Sequence, residues 1–212
     1  MHECQPEKVT SFINNSSGKI SSSDSLKLLG FNFTEAPNVE AHVKSLAKKV
    51  HLRTWSLINL KRAGVSNDDV LTIYKSIVRS VLDYASVTYN SLLTKEQEDE
   101  LERLQRMCFR VIYGWEKPYS QLLQETAVTP LKERREELCL KFAEGCLEHD
   151  TFKSWFPLEP PKEHDLRATR KFAIPKFNCN RYDNSPLNYM RKLLNGKFAR
   201  DQSQSIVNRY SK

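Results

Sequence analysis

The feature that most constrains this chain is an apolar spacing of three, four and seven residues, which recurs between residues 39 and 146. Residues at that spacing lie on one face of an α-helix, so each such run predicts a helix with one buried side. Glycine is scarce, at 6 of 212 residues, and 28% of residues are charged, a composition typical of charged helices. We expect a mainly α fold: an antiparallel bundle of about five helices with a short N-terminal β-hairpin and a basic, partly disordered C-terminal segment.

The longest run extends from Val39 to Leu60 and predicts a first helix of about 25 residues. Gly64 follows it and can adopt the left-handed conformation that is common after helix ends. A second helix begins after Ser66, a typical N-cap residue, and is predicted to continue to Asn90. The inward residues predicted for this second helix are Val70, Tyr74, Ile77, Val81 and Ala85.

A third helix is predicted from Thr94 onward, because Thr94 followed by Gln97 forms a capping-box pattern. Its predicted inward residues are Leu101, Leu104, Cys108, Phe109 and Ile112. A short helix follows at 121–125, and the pair Thr129-Pro130 then opens a fifth helix as N-cap and first helical residue. The predicted inward residues of the fifth helix are Leu131, Leu138, Phe142 and Cys146.

The N-terminal segment, residues 1–35, lacks helical spacing and contains two short runs suited to strands, 9–13 and 26–33. A turn at Gly18-Lys19 between them predicts a β-hairpin, which needs a partner surface because two strands are marginally stable alone. Residues 36–156 form the predicted helical domain.

Residues 157–212 form a third predicted segment, which begins with a proline-containing linker and a basic stretch. Ser185-Pro186 opens one more short helix there, and Asn195-Gly196 is predicted to end it. The polar residues that follow are expected to be disordered.

The positive charge is concentrated in the last quarter of the chain. Residues 1–160 hold 21 Lys and Arg against 22 Asp and Glu, net −1, whereas residues 161–212 hold 12 against 4, net +8. Basic residues alternate there with aromatic ones, a pattern that favours RNA or DNA as a partner through phosphate contacts and base stacking. The alternative is a solvated basic tail with no partner.

No residue set has the spacing of a catalytic or metal centre. Asp68 and Asp69 are adjacent acids, but their position after a capping serine predicts helix capping rather than metal binding. Cys139, Cys146 and His149 match no standard zinc spacing, and buried thiols are the preferred interpretation. No histidine pairs with a nucleophile, and no glycine-rich phosphate loop occurs, so we predict no enzyme activity, no cofactor and no metal site.

The chain has no run of about 18 apolar residues and no apolar leader at its start, which predicts neither a membrane span nor secretion. Its five cysteines are odd in number and widely spaced, as expected for reduced thiols. An intracellular location, nuclear or cytoplasmic, is therefore expected.

Short motifs follow one another in a fixed order along residues 8–196. They are Lys27-Leu28-Leu29-Gly30-Phe31, His42-Val43, Arg53, residues 74–85, Leu101 to Arg106, Tyr113-Gly114, Pro130-Leu131 with Glu133-Arg134-Arg135, and Asn184-Ser185-Pro186 with Met190-Arg191. In order and spacing they resemble the segment that follows the catalytic palm of non-LTR (LINE-type) retrotransposon reverse transcriptases.

The resemblance implies that Lys27, Leu28, Leu29 and Gly30 form a primer-grip turn, and that residues 38–115 form a thumb that holds the template–primer duplex. The family's aromatic-x-Asp-Asp turn, its other palm aspartate and its fingers have no counterpart in this sequence. Since phosphoryl transfer depends on those metal-binding carboxylates, the resemblance implies a truncated, non-catalytic copy.

The resulting hypothesis is a non-catalytic reverse-transcriptase remnant with weak, sequence-independent binding to RNA, DNA or an RNA–DNA hybrid. The residues predicted to contact nucleic acid are Arg53, Arg62, Arg79, Arg167, Arg170, Lys171, Arg191 and Lys192. One alternative is a helical protein-interaction scaffold whose basic tail is incidental, and another is a translated fragment without a selected function.

Overall fold

The computed structural model of the chain describes residues 25–34, 39–160, 170–176 and 180–210. The helices in these ranges are α1 (Glu40–Arg62), α2 (Asn67–Ile73), α3 (Ser80–Asp83), α4 (Ser86–Tyr89), α5 (Lys95–Tyr113), α6 (Tyr119–Glu125), α7 (Leu131–Glu148), α8 (Asp150–Lys153), α9 (Asn180–Asp183) and α10 (Pro186–Tyr210). Strands β1 (Ser25–Leu28) and β2 (Phe31–Thr34) form one antiparallel sheet. The predicted mainly α fold, a helical bundle with a short N-terminal hairpin, is confirmed.

The hairpin lies entirely within the run that was predicted to be a single strand. Leu28 is opposite Phe31, so Leu29 and Gly30 form a two-residue turn, with φ of 48° and 80°. Two positive φ values are typical of the type I′ turn, whose twist matches that of the flanking strands. The prediction of a single strand over 26–33 is therefore wrong. The predicted turn at Gly18-Lys19 lies outside the described residues.

One aromatic contact fixes the hairpin to the bundle. The Phe31 ring lies 4.3 Å from the ring of His42 on α1, and His42 lies 5.0 Å from Tyr89 on α4. All three side chains are buried. This hairpin therefore packs on helices, which supply the partner surface that two strands need.

Helices α1 and α5 form the centre of the larger core, which we call the first core. The residues predicted to face inward are Val39, Val43, Leu46, Val50, Leu57 and Leu60 on α1 and Leu101, Leu104, Cys108, Phe109 and Ile112 on α5. All are buried, as predicted, except Leu60, which is only partly buried. The Thr94–Gln97 capping box is also confirmed, with the Gln97 amide donating to the Thr94 hydroxyl at 3.3 Å. Helices α2 and α3 run antiparallel to α1 and pack against it. Helices α1 and α5 therefore run parallel to each other, and they are in contact where Thr54 Oγ1 lies 3.4 Å from Cys108 Sγ.

The second predicted helix is interrupted twice. A π-helical turn at Tyr74–Arg79 adds residues per turn, so the buried positions shift from the predicted Ile77 and Val81 to Val78 and Leu82. After α3, Ala85 adopts a left-handed φ of 55° and the chain changes direction. The predicted continuous helix to Asn90, with Ala85 on its inward stripe, is therefore wrong.

Helix α7 buries a different face from the predicted one. Cys146 and Leu131 are buried as predicted, but Leu138 is only half-buried and Phe142 is 46% exposed. The buried residues between them are Arg135, Cys139 and Ala143. Small residues face the core here because α4 and α10 lie close to α7, so the larger apolar side chains turn outward.

The smaller core, which we call the second core, joins α7 to α10. Its buried residues are Cys139, Ala143, Cys146, Phe156, Phe172, Met190 and Leu194. It therefore combines helix α7 with segments beyond residue 157.

Helix α10 continues to Tyr210, so the predicted helix end at Asn195-Gly196 and the disordered tail over 197–210 are wrong. The Asn195 side chain does not cap the helix. Instead its Nδ2 donates to the Phe172 carbonyl and its Oδ1 accepts from the Phe172 amide, both at 2.9 Å.

A buried polar bridge connects the two cores. Asn90 Oδ1 accepts from the Arg135 guanidinium at 2.9 Å, and Asn90 Nδ2 donates to the Tyr189 hydroxyl at 3.1 Å. Arg135 is 1% exposed, so this bond satisfies part of a buried charge. Asn90 thus links α7 and α10 at the edge of the first core.

Candidate nucleic-acid interface

The solvent-facing side of α1 combines cations with an aromatic ring. Lys48, His51, Trp55 and Arg62 are exposed, and Trp55 is 65% exposed. Their spacing places them along one line of the helix, opposite the buried stripe. A 23-residue helix is about 34 Å long, so this stripe, which we call the α1 stripe, runs along most of that length.

The charge of α1 is strongly one-sided. The helix contains six Lys and Arg residues and one acid, Glu40, in its first turn. Glu40 forms an ion pair with Lys44 at 2.5 Å, and no acid follows between residues 41 and 62. Lys48 and Arg62 have no ion-pair partner among the described residues, so the stripe presents uncompensated positive charge.

Arg53, a predicted phosphate contact, has an internal role instead. Its guanidinium donates to the Ile77 carbonyl at 2.5 Å, inside the π-helical turn. Such turns disturb the regular pattern of backbone hydrogen bonds, so an arginine donor from α1 stabilises this one. Arg62, at the end of the same helix, is exposed and remains available.

Two further predicted contacts are also engaged within the protein. Arg79 donates to the Thr129 hydroxyl at 2.8 Å. Arg191 donates twice to the Trp155 carbonyl, at 3.1 and 2.6 Å, and also bonds Asn188. Partial burial lowers the pKa of Arg191 from its ordinary value. Both arginines therefore hold helices and loops together.

The structure brings together some of the predicted C-terminal residues. Arg170 and Lys192 line one open groove of about 530 Å³ together with Lys176, Asp183 and Asn195. Lys192 pairs with Asp183 at 2.8 Å, and the other two cations of the groove are Arg170 and Lys176, both exposed.

Lys171, another predicted C-terminal contact, does not line this groove. Lys171 lies over the rings of Phe172 and Phe198, at 5.7 and 5.2 Å. Arg167 lies outside the described residues.

The predicted primer-grip residues form the tip of the hairpin. Lys27, Leu28 and Leu29 are exposed, and Leu29 is 82% exposed. The Tyr84 hydroxyl donates to the Leu29 carbonyl at 2.6 Å, and a Cβ on Gly30 would lie 3.7 Å from the same ring. The turn is therefore held against α3 with its apolar side chains facing solvent.

The acids and thiols singled out in the sequence have structural roles. The Ser66 hydroxyl accepts from the Asp69 amide at 3.2 Å and donates to the Asp69 carboxylate at 2.7 Å, which confirms helix capping. Burial raises the pKa of Cys108 and of Cys139 to about 11, so both stay protonated. Among the described residues, no group of three or more His, Cys, Asp or Glu is placed to hold a metal ion.

Sequence reasoning missed the α1 stripe because the net charge of residues 1–160 is close to zero. The signal was present: cations recur at helical spacing on the side opposite the apolar stripe, with no acid between them.

The sequence prediction also missed a second group of basic and aromatic residues. Arg110 stacks on Trp115 with its guanidinium carbon 4.0 Å from the ring centre, and Arg106 lies 5.2 Å from the ring centre of Tyr119.

Comparison with known proteins returns no match: no protein-family model, no curated protein and no solved structure is similar to this chain. Within the described part of the chain, no helix has the length and apolar character needed to cross a membrane.

Proposed function

We propose that the chain is a non-catalytic, thumb-like remnant of a retroelement reverse transcriptase that binds RNA, DNA or an RNA–DNA hybrid in the nucleus or cytoplasm. The observation that carries the proposal is the α1 stripe, in which Lys48, His51, Trp55 and Arg62 face solvent and no acid occurs between residues 41 and 62. Lysine and arginine neutralise phosphates and release counterions, which gives affinity without reading base sequence.

The length of the stripe suits a duplex. Helix α1 is about 34 Å long, close to one turn of B-form DNA, and Lys48 and Arg62 lie about 21 Å apart along its axis, so they can contact two separate phosphates of one duplex. The ordered resemblance to reverse transcriptases supports the same assignment, because α1 falls within the thumb-like residues 38–115.

The test is a double charge reversal, Lys48→Glu with Arg62→Glu, measured by the fluorescence anisotropy of a labelled RNA–DNA hybrid. The matched control is Lys75→Glu with Lys141→Glu, which changes the net charge equally at two exposed lysines elsewhere. We expect the affinity of the α1 variant to decrease at least about tenfold. The negative slope of log affinity against log salt should become shallower by about two, because two phosphate contacts are lost.

The control variant should keep most of its affinity, because its lysines lie off the stripe. Equal losses in both variants would mean that only net charge matters, and unchanged binding in both would refute the α1 interface.

A helical protein-interaction scaffold is the second candidate, and the hairpin tip favours it. Leu28, Leu29 and Tyr84 expose adjoining apolar surface there. A stable complex with a protein, together with the absence of salt-dependent binding to polynucleotides, would select this candidate over the first.

A further inference from the structure

A cavity of about 340 Å³ lies between the end of α5 and the start of α6, separate from the α1 stripe. Phe109 and Leu122, both buried, form its apolar base. Tyr119 forms one wall, and Arg106, Arg110 and Trp115 surround its opening. The cavity therefore combines an apolar base with a cationic, aromatic rim.

Both arginines of the rim lie over aromatic rings rather than beside acids. Arg110 lies 4.0 Å from the ring centre of Trp115, and Arg106 lies 5.2 Å from that of Tyr119. Neither arginine has an ion-pair partner among the described residues. Ring contacts of this kind hold a guanidinium in place while leaving its N–H groups free to donate.

The local charge favours an anionic ligand. Lys117 also lines the cavity but forms an ion pair with Glu125 at 2.7 Å, and the Glu102 carboxylate accepts from the Tyr119 hydroxyl at 2.5 Å. Arg106 and Arg110 are therefore the lining cations that form no ion pair among the described residues. A recess lined by positive charges raises the local concentration of anions. The guanidinium of an arginine in particular can bind a phosphate through two parallel hydrogen bonds.

The open face of the Trp115 ring favours a flat ligand. It is 76% exposed although Arg110 covers one side of its ring, so the other face of the indole is open to solvent. The chain reaches this position through Gly114, whose φ of 79° lets the backbone turn sharply at the end of α5. An open indole face beside phosphate-binding arginines is suited to stacking of an unpaired base.

We propose that this cavity binds an unpaired nucleotide of a single-stranded segment, with the base on Trp115 and the phosphate between Arg106 and Arg110. This inference rests on the nucleic-acid binding proposed above and adds a second site to it. The α1 stripe holds duplex, and the Trp115 cavity holds the single strand that extends from it.

The test uses intrinsic fluorescence of the full chain. The chain has three tryptophans, so the double variant Trp55→Phe with Trp155→Phe leaves Trp115 as the reporter. It is titrated with a 5′-phosphorylated oligothymidylate of about ten nucleotides. We expect saturable quenching of Trp115, because a stacked base quenches indole emission.

A second pair of variants locates the site. Arg106→Ala with Arg110→Ala in the reporter chain should weaken oligothymidylate binding by about tenfold, the loss typical of one stacked and phosphate-bound nucleotide. In the otherwise unchanged chain, Trp115→Ala should weaken single-strand binding, whereas Trp155→Ala, at an exposed tryptophan that does not line this cavity, should not.

The outcomes separate the two proposals. Binding of the hybrid along α1 without any response of Trp115 would overturn the cavity inference alone. Absence of salt-dependent hybrid binding by the unchanged chain would overturn the proposed function. Equal quenching of Trp115 by polyglutamate would overturn the nucleotide assignment in favour of an acidic protein segment.

Discussion

The first and second cores are stabilised in different ways. The first core packs large apolar and aromatic side chains from several helices, such as Phe109 between Tyr74 and Tyr119, each at 5.6 Å between ring centres. The second core is smaller, and polar side chains such as Asn195 and Arg191 fasten its segments through backbone atoms. The first core also contains a buried hydrogen-bond network, in which Gln105 accepts from Tyr74 and donates to Tyr119. Loss of one such bond leaves its apolar packing in place, whereas the segments of the second core are joined through a few of them.

The largest expected effect comes from Phe109→Ala in the first core. The ring is fully buried, so its removal should lower the free energy of unfolding by about 3–5 kcal/mol. Thermal unfolding followed by circular dichroism measures this change. Phe142→Ala is the matched control, since Phe142 is half-exposed, and a similar loss in both variants would contradict the assignment of Phe109 to the centre of the core.

The next effect is a loss of stability at acidic pH, which we expect because His42 is buried in the first core, where the hairpin packs on α1. Among the described residues, neither ring nitrogen of His42 has a hydrogen-bond partner, and burial, reinforced by the charge of Lys49, lowers the pKa of this histidine to about 4. The unfolded chain therefore binds a proton near pH 6.5 that the folded chain does not take up until about pH 4. Stability should be full above pH 6.5 and fall as the pH decreases, by about 2 kcal/mol at pH 5.

Denaturant unfolding at pH 7 and pH 5 tests this prediction, with His42→Phe as the variant that keeps a ring but cannot take up a proton. The pH-dependent loss should disappear in His42→Phe and persist in His149→Phe, which changes an exposed histidine. A loss of the same size in His42→Phe would place the acid sensitivity elsewhere.

The smallest of these effects should be confined to the second core. Asn195→Ala removes both hydrogen bonds to the Phe172 backbone and should lower the free energy of unfolding by about 1 kcal/mol. Hydrogen exchange should accelerate in α10 and remain unchanged in α5. Asn184→Ala, at an exposed asparagine, is the control, and equal acceleration in α5 and α10 would show that the cores unfold as one unit.

Local sequence predicted those parts of the fold that depend on spacing and capping. The buried stripe of α1, the Thr94 capping box and the Ser66 cap each depend on residues within a few positions of one another. The π-helical turn and the exposure of Phe142 depend on packing between distant segments, so residue spacing alone does not reveal them.

The candidate site was predicted less well, for a physical reason. Three of the predicted contacts have the positive charge that phosphate binding needs but are used inside the protein: Arg53, Arg79 and Arg191. Each donates to a carbonyl or hydroxyl that comes near it only when the chain folds. Arg62 was predicted as a contact and is exposed. The α1 stripe required the two faces of one helix to be considered together, and the Trp115 cavity required α5 and α6 to meet.

The measurement that tests the central claim most directly is the binding of a labelled RNA–DNA hybrid to the unchanged chain at two salt concentrations. We expect binding at low salt that weakens steeply as salt increases, with a slope of about −0.9 for each phosphate neutralised. Absence of binding at low salt would contradict the account.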